Sequence, residues 1–198
     1  MSAALPDHFE SERLRLRSYR PGDGPLFYAV GQKNRAHLEQ FEAENVILSA
    51  KDEAAAEAIV CELANDWQAR KCFFIGAFDK RTGEFVAQVY VGMANPDLPE
   101  YEIGYFVDKE HEGQGYVTEA ASAAIQFVFE QLGASRLRLA CDDTNERSYR
   151  VAERCGLIRE GHSRENKRHP DGTVSGTLHY RLLKSEFEAL QTTGKGET

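Results

Sequence analysis

Residues 101–119 read YEIGYFVDKEHEGQGYVTE, and the expectations for the rest of the chain follow from this stretch. It begins with a short run of β-branched and aromatic residues that predicts a strand. A charged turn and Gly113-Gln114-Gly115 follow, and residues 118–132 then show helical spacing. Glycines let consecutive backbone N–H groups point the same way, and a helix N-terminus adds about half a positive charge beside them. The stretch therefore predicts a phosphate-binding turn, with a plain tight connection as the alternative.

The composition is typical of one globular domain. The chain has 198 residues, of which 41% are hydrophobic and 28% charged. We expect a single domain over residues 1–198, with its core at about 9–190 and a flexible polar tail at 191–198. The formal net charge of −8 argues against non-specific nucleic-acid binding and favours a cationic or amine-bearing partner.

The chain shows no sign of a membrane or secreted protein. No apolar run approaches the length of a membrane span, and the first residues lack a basic region followed by an apolar one. The cysteines at 61, 72, 141 and 155 form no C-x-x-C pair. They are expected to be buried, reduced thiols of a cytoplasmic protein.

The remaining elements are predicted from hydrophobic periodicity. Strands are expected at residues 12–19, 72–78, 84–91, 136–141, 157–165 and 177–183. Two short helices joined at Lys33-Asn34 are expected near 26–41, and further helices at about 52–70 and 146–155. Hairpins first and βαβ connections later indicate an α/β (α+β) fold, with a mixed sheet of about seven strands and helices on both faces.

Three motifs in this order resemble the GNAT superfamily of acetyl-coenzyme A-dependent N-acetyltransferases. They are SERLRLRSYRPGD at 11–23, the stretch at 101–119, and NERSYRVAERCGL at 145–157. The branch they resemble most is that of the ribosomal-protein alanine and serine N-acetyltransferases. The resemblance spans most of the chain and implies a mostly antiparallel sheet and acetyl-coenzyme A as co-substrate.

The resemblance also implies where coenzyme A binds. In the family its pyrophosphate lies on backbone amides of the glycine-rich turn, here Gly113, Gln114, Gly115, Tyr116, Val117 and Thr118. The pantetheine arm would pair with main-chain groups of Phe106 and Val107 and with the side-chain amide of Asn145. The family pattern has Gln or Arg at position 112, where this chain has Glu112, so we assign Glu112 no cofactor role.

Acetyl transfer to an amine needs a proton acceptor, because an aliphatic amine with a pKa of about 10.4 is protonated at neutral pH. Glu102, before the cofactor segment, is the candidate base; the alternative is a solvent-facing residue or one paired with an arginine. Ser148 is the candidate acid that protonates the departing thiolate; the alternative is a serine that satisfies backbone groups. Tyr149 and Tyr105 are further candidates.

Other chemistries have little support in the sequence. The histidines lack the spacing of metal ligands, so no metal site is expected, and neither a hydrolase elbow nor a P-loop is present. The acceptor is expected to be a primary amine: a protein N-terminus, or a small amine or antibiotic. A non-catalytic acyl-coenzyme A sensor is the competing class of function. The chain is expected to be a monomer or a homodimer.

Overall fold

The structure, a computed structural model, describes residues 5–169 and 171–194. The strands in this part of the chain are β1 His8–Glu10, β2 Leu14–Ser18, β3 Cys72–Asp79, β4 Phe85–Asn95, β5 Glu100–Val107, β6 Arg136–Asp142, β7 Ile158–Arg168 and β8 Val174–Leu183. The helices are α1 Gly24–Phe41, α2 Glu53–Gln68, α3 Tyr116–Glu130, α4 Glu146–Arg154 and α5 Lys184–Gly194. Short 3₁₀ turns occupy Val46–Leu48 and Lys109–His111.

The strands form one mixed sheet in the order β1-β2-β3-β4-β5-β6-β8-β7. The β5–β6 pair is parallel, whereas β1–β2, β2–β3, β3–β4, β6–β8 and β7–β8 are antiparallel. The predicted α/β class with a mixed, mostly antiparallel sheet is therefore confirmed. The described residues contain eight strands instead of about seven, because β1 is too short to show alternation in the sequence.

The chain divides into two compact units. The first comprises residues up to 92 together with 105–123, and the second comprises residues 93–104 together with 124 onward. In the first unit, Leu14 and Leu16 of β2 are fully buried, and the intervening Arg15 is exposed, as its alternating sequence predicts. Helix α2 begins after Asp52, whose side chain accepts a hydrogen bond from Ala55 N at 2.8 Å.

The predicted pair of short helices before α2 is wrong, because α1 is one continuous helix of 18 residues. The expected join falls at Asn34, which is fully buried instead of marking a flexible link. Its Nδ2 donates to Val30 O at 3.0 Å and to Asp108 Oδ2 at 3.2 Å, and its Oδ1 accepts from Lys109 N at 2.9 Å. Asn34 is a polar residue at a buried position of α1, so it interrupts the hydrophobic pattern of the helix. Its partners Asp108 and Lys109 are distant in the sequence, so the pattern alone does not show that the position is buried.

The second unit contains one helix that the sequence reasoning missed. Helix α5 follows β8 directly, and Phe187 stacks on Phe129 of α3 with ring centroids 4.7 Å apart. The predicted tail at 191–198 begins inside α5, which runs to Gly194, and residues 195–198 lie outside the described residues. Pro170, between β7 and β8, also lies outside them.

The four cysteines are free thiols, as expected, but each is partly exposed instead of buried. An apolar neighbourhood in the sequence therefore does not by itself bury a thiol. Among the helices of residues 5–169 and 171–194, none combines the length and apolarity needed to cross a membrane.

Candidate cofactor turn and active-site residues

The backbone of the predicted phosphate turn has the expected form. Gly113 and Gly115 have φ angles of 73° and 78°, in the left-handed region where glycine has no steric penalty. Helix α3 begins at Tyr116, two residues earlier than predicted, and its ladder starts with the bond from Glu119 N to Gly115 O at 3.0 Å. The amides of residues 116–118 therefore precede the ladder, and residues 113–115 are exposed.

An arginine of the segment predicted as the strand at 12–19 lies against this turn. Arg13 Nη1 donates to Gln114 O at 3.0 Å, and Arg13 Nε lies 2.6 Å from Glu119 Oε2. The guanidinium also covers the ring of Tyr116, 4.5 Å from its centroid. Ser11 Oγ donates to Glu119 Oε1 at 2.6 Å. Burial alone would raise the pKa of Glu119, but the hydrogen bonds from Ser11 and Arg13 outweigh it and hold that pKa below its usual range.

The first residue of α3 is also tied to the β3–β4 hairpin. The Tyr116 hydroxyl donates to Asp79 Oδ2 at 2.7 Å. The other carboxylate oxygen of Asp79 accepts from Arg81 N at 2.8 Å and Thr82 N at 2.9 Å, which closes the hairpin turn. These bonds, that from Tyr116 foremost, lower the pKa of Asp79 to about 2. The hairpin and the start of α3 are thus held together by one carboxylate.

Helix α1 lies against the opposite end of the turn region. Lys33 Nζ lies 2.7 Å from Asp108 Oδ2, next to the bond from Asn34. Burial opposes ionisation of Asp108, yet Lys33 and its hydrogen-bond donors keep the pKa of this carboxyl below its usual range. Glu112, the residue that departs from the family pattern, has its Oε1 3.6 Å from His37 Nδ1 of α1. Its carboxylate is therefore engaged with α1.

Only the main chain of Phe106 is suited to contact a ligand. Its side chain is buried in the core, and its ring centroid lies 6.1 Å from that of Phe85. Val107 is half-buried, and the following residue, Asp108, donates its N–H to Val86 O at 2.9 Å. The predicted role of Phe106 and Val107, which uses backbone groups alone, is compatible with this packing.

Glu102 belongs to the second unit and is paired with an arginine, which is the alternative considered above. Its Oε2 lies 2.7 Å from Arg138 Nη2 and 2.9 Å from Arg138 Nε. The parallel register of β5 and β6 places these residues opposite each other, and it pairs Glu100 with Arg136 in the same way. The Glu102 side chain is 41% exposed, so solvent can reach the carboxylate.

Asn145 and Ser148 are brought together at the start of α4. Asn145 Oδ1 accepts from Ser148 N at 3.1 Å and caps the helix, so its Nδ2 group is the part that could donate to a ligand. The Ser148 side chain hydrogen-bonds to Cys141, whose thiol has a pKa of about 11 because burial outweighs that bond. The alternative candidates Tyr149 and Tyr105 are both half-buried.

Residues 13–158 match the family model described as an acetyltransferase (GNAT) domain. The chain belongs to the GNAT acetyltransferase family. The resemblance inferred from the three motifs is thereby confirmed.

Individual GNAT relatives agree with this assignment. The ribosomal-protein-serine acetyltransferase of Escherichia coli K12 is 32% identical over 176 residues, which cover 89% of this chain and 96% of that protein. The putative ribosomal N-acetyltransferase YdaF of Bacillus subtilis 168 is 38% identical over 87 residues, or 44% of this chain, and the match spans only 47% of YdaF. A ribosomal L7/L12 α-N-protein acetyltransferase solved with coenzyme A has the same fold, with a TM-score of 0.77, 19% identity, and coverage of 91% of this chain and 98% of that one.

Two residues beside this GNAT turn, Arg13 and Glu119, belong to the motifs that were identified in the sequence, but their contact was not predicted. Arg13 belongs to the first motif and Glu119 ends the second, but nothing local signals that they meet across 106 positions. The alternation around Arg13 predicts only the strand at 12–19. Within residues 5–169 and 171–194, no group of three or more His, Cys, Asp or Glu side chains has an arrangement that could hold a metal.

Proposed function

We propose that this GNAT-family chain transfers acetyl from acetyl-coenzyme A directly to a primary amine, and that the amine is a protein N-terminus. The observation that supports the co-substrate most strongly is the turn at 113–118, in which two glycines at positive φ lead into a helix N-terminus. Such a turn binds phosphate oxygens through backbone N–H groups. The name of the Escherichia coli relative, a ribosomal-protein-serine acetyltransferase, favours a protein acceptor.

In this proposal the chain binds coenzyme A mostly through its backbone. The pyrophosphate accepts N–H bonds from the turn, while the pantetheine arm pairs with the main chain of Phe106 and Val107. Asn145 donates from Nδ2 to a pantetheine carbonyl while its Oδ1 caps α4. Each of these contacts fixes the thioester without placing a side-chain charge on it.

The proposed chemistry is a single transfer step with no acyl-enzyme. Glu102, directly or through a water, takes the proton of the acceptor ammonium, and the neutral nitrogen attacks the thioester carbonyl. A backbone N–H near Tyr105 stabilises the oxyanion. Glu102 releases its proton to solvent. As the C–S bond breaks, Ser148 takes up the remaining surplus proton of the attacking nitrogen and protonates the coenzyme A thiolate. This last requirement is mild, because a thiol with a pKa of about 8.5 is a good leaving group.

The net charge of −8 supports an acceptor that arrives as a cation. We place the enzyme in the cytoplasm, where its free, partly exposed cysteines would stay reduced. A single acetyltransferase domain acting as a monomer or homodimer completes the proposal.

The direct test is an acceptor panel. The purified chain is incubated with acetyl-coenzyme A and peptides beginning with Ala or Ser, polyamines or aminoglycosides, and thiol release and acetylated product are measured. We expect the peptides to be acetylated and the same peptides with blocked N-termini to be inert. Preference for a small amine would replace the protein acceptor. Binding of coenzyme A with no acetylation of any amine would support a sensor instead.

Matched variants test the two catalytic assignments. Glu102→Gln is expected to lower kcat by about 100-fold or more, the range of general base catalysis. Glu100→Gln, which removes the neighbouring arginine-paired carboxylate on the same strand face, is the control and should retain activity. Ser148→Ala keeps the N–H that Asn145 caps and is expected to lower kcat by about tenfold. Wild-type rates in Glu102→Gln would exclude Glu102 as the base.

A third variant separates the two roles of Asn145. Asn145→Asp keeps an acceptor oxygen for the helix cap but removes the Nδ2 donor. We expect an unchanged melting temperature and a Kd for coenzyme A about tenfold higher, the loss of one hydrogen bond to a bound ligand. An unchanged Kd would show that Asn145 only caps α4.

A further inference from the structure

We infer that Arg13 is a positioning residue for the pyrophosphate turn: it fixes the orientation of the Gln114–Gly115 peptide, so that the Gly115 N–H points toward the phosphate. The inference rests on the proposed coenzyme A site and adds a residue from another element to it. Arg13 precedes β2 and is more than 100 positions away from the turn in the sequence.

The orientation follows from one hydrogen bond. Arg13 Nη1 donates to Gln114 O at 3.0 Å, so this carbonyl points toward the guanidinium. The peptide bonds of the described residues are trans. In a trans peptide the C=O and the next N–H point in opposite directions. The Gly115 N–H is therefore directed away from Arg13, which leaves it available to an anion on the exposed side of the turn.

The turn needs such a lock because its glycines make the peptide easy to rotate. Rotation of the Gln114–Gly115 peptide changes the φ angle of Gly115, and glycine adopts positive and negative φ with similar ease. The rotated peptide would present the Gln114 carbonyl to the phosphate in place of an N–H. A carbonyl oxygen facing a phosphate oxygen is repulsive, so the rotated form would not bind the ligand.

Arg13 is itself held rigidly enough to act in this way. Its Nε is bound to Glu119, and its plane lies over the ring of Tyr116, so the guanidinium is fixed on two sides. Nη2 would lie 3.5 Å from a Cβ added to Gly115, which places the group directly against the turn. Glu119 offsets the charge of Arg13, so orientation is its main contribution. The polar or cationic residue that the family has at position 112 is absent here. Arg13, from another element, instead donates a hydrogen bond to Gln114 O and fixes the turn.

A purely structural role would behave differently. The Arg13 side chain is 41% exposed, and ion pairs this exposed contribute little to stability. The orienting role affects only ligands that carry a pyrophosphate. Acetyl-pantetheine, which lacks it, is therefore the discriminating acetyl donor.

The experiment compares Arg13→Ala with Arg15→Ala, a control that removes a nearby exposed arginine paired with Glu10. Calorimetric titration with coenzyme A should show a Kd about tenfold higher in Arg13→Ala, as expected for the loss of one oriented donor. The kcat/KM for acetyl-pantetheine should stay within about twofold of wild type in both variants. Arg15→Ala should match wild type throughout.

Arg13→Lys serves if the alanine variant does not fold. A lysine ammonium cannot bond Glu119 and Gln114 as a fork, so the Kd for coenzyme A should rise by about threefold. Equal affinity for coenzyme A in wild type and in the folded Arg13 variants would overturn the inference. A loss of kcat/KM for acetyl-pantetheine as large as the loss of affinity for coenzyme A would also overturn it. Failure of the wild-type chain to bind coenzyme A would instead refute the proposed function, so the two failures are distinguishable.

Discussion

Replacement of Asn34 by alanine should destabilise the protein far more than its position in the middle of a helix suggests. The side chain is fully buried and is the central residue of a small polar network. It donates to Asp108 Oδ2 at 3.2 Å and accepts from Lys109 N at 2.9 Å. Its bond to Val30 O is less important, because helix carbonyls also accept from the backbone.

The magnitude follows from what alanine leaves behind. The lost bond to the Asp108 carboxylate involves a charged partner and is worth roughly 1.5–3 kcal/mol. The Lys109 N–H is left without this acceptor in a partly buried position, which costs roughly 1–3 kcal/mol more. Lys33 stays 2.7 Å from Asp108 and limits the first loss. We therefore expect the free energy of unfolding to fall by about 3 kcal/mol.

Urea unfolding followed by circular dichroism measures this loss. Asn65→Ala is the matched control, because Asn65 is an exposed asparagine in α2 and its removal should change the free energy of unfolding by less than about 0.5 kcal/mol. A loss below about 1 kcal/mol in Asn34→Ala would refute the reasoning, since it would mean that the network contributes no more than an exposed polar residue.

Three further predictions concern the turn and its surroundings. Gly113→Ala should raise the KM for acetyl-coenzyme A, because the φ of 73° at this position strains any residue other than glycine. Gly83→Ala is the control: Gly83 has a φ of 76° but lies in the hairpin turn, so the KM should not change. Equal KM values in the two variants would contradict this prediction. The folded-state pKa of Asp79, about 2, lies below the usual 3.8, so its stabilisation is present above about pH 4 and is lost as the pH falls toward 2. Tyr116→Phe removes the largest cause of the lowered pKa of Asp79. Between about pH 5 and about pH 3, the unfolding free energy of this variant, measured by urea titration, should therefore fall less than that of wild type. Cys141, with a pKa of about 11, should react with iodoacetamide at neutral pH far more slowly than free cysteine, as peptide mass mapping can show; comparable rates would contradict the raised pKa.

The sequence by itself determined the elements whose causes are local. The glycines at 113 and 115 were recognisable as a positive-φ turn, because few other residues adopt that backbone. The helix at about 52–70 was recognisable from its periodicity, and its cap is local, since Asp52 accepts from Ala55 N three residues further on. The strands were located from alternation, which reflects burial of one face. The family motifs then led to the same turn as the local chemistry.

Only the tertiary structure decided which side chains meet. It made α1 continuous by giving Asn34 partners 74 and 75 positions away, and it brought Arg13 to Glu119. It also paired Glu102 with Arg138, which the register of β5 and β6 fixes. Backbone preferences are set by adjacent residues and can be predicted from them. The partner of a polar side chain depends on how distant segments pack, and no short stretch of sequence contains that information.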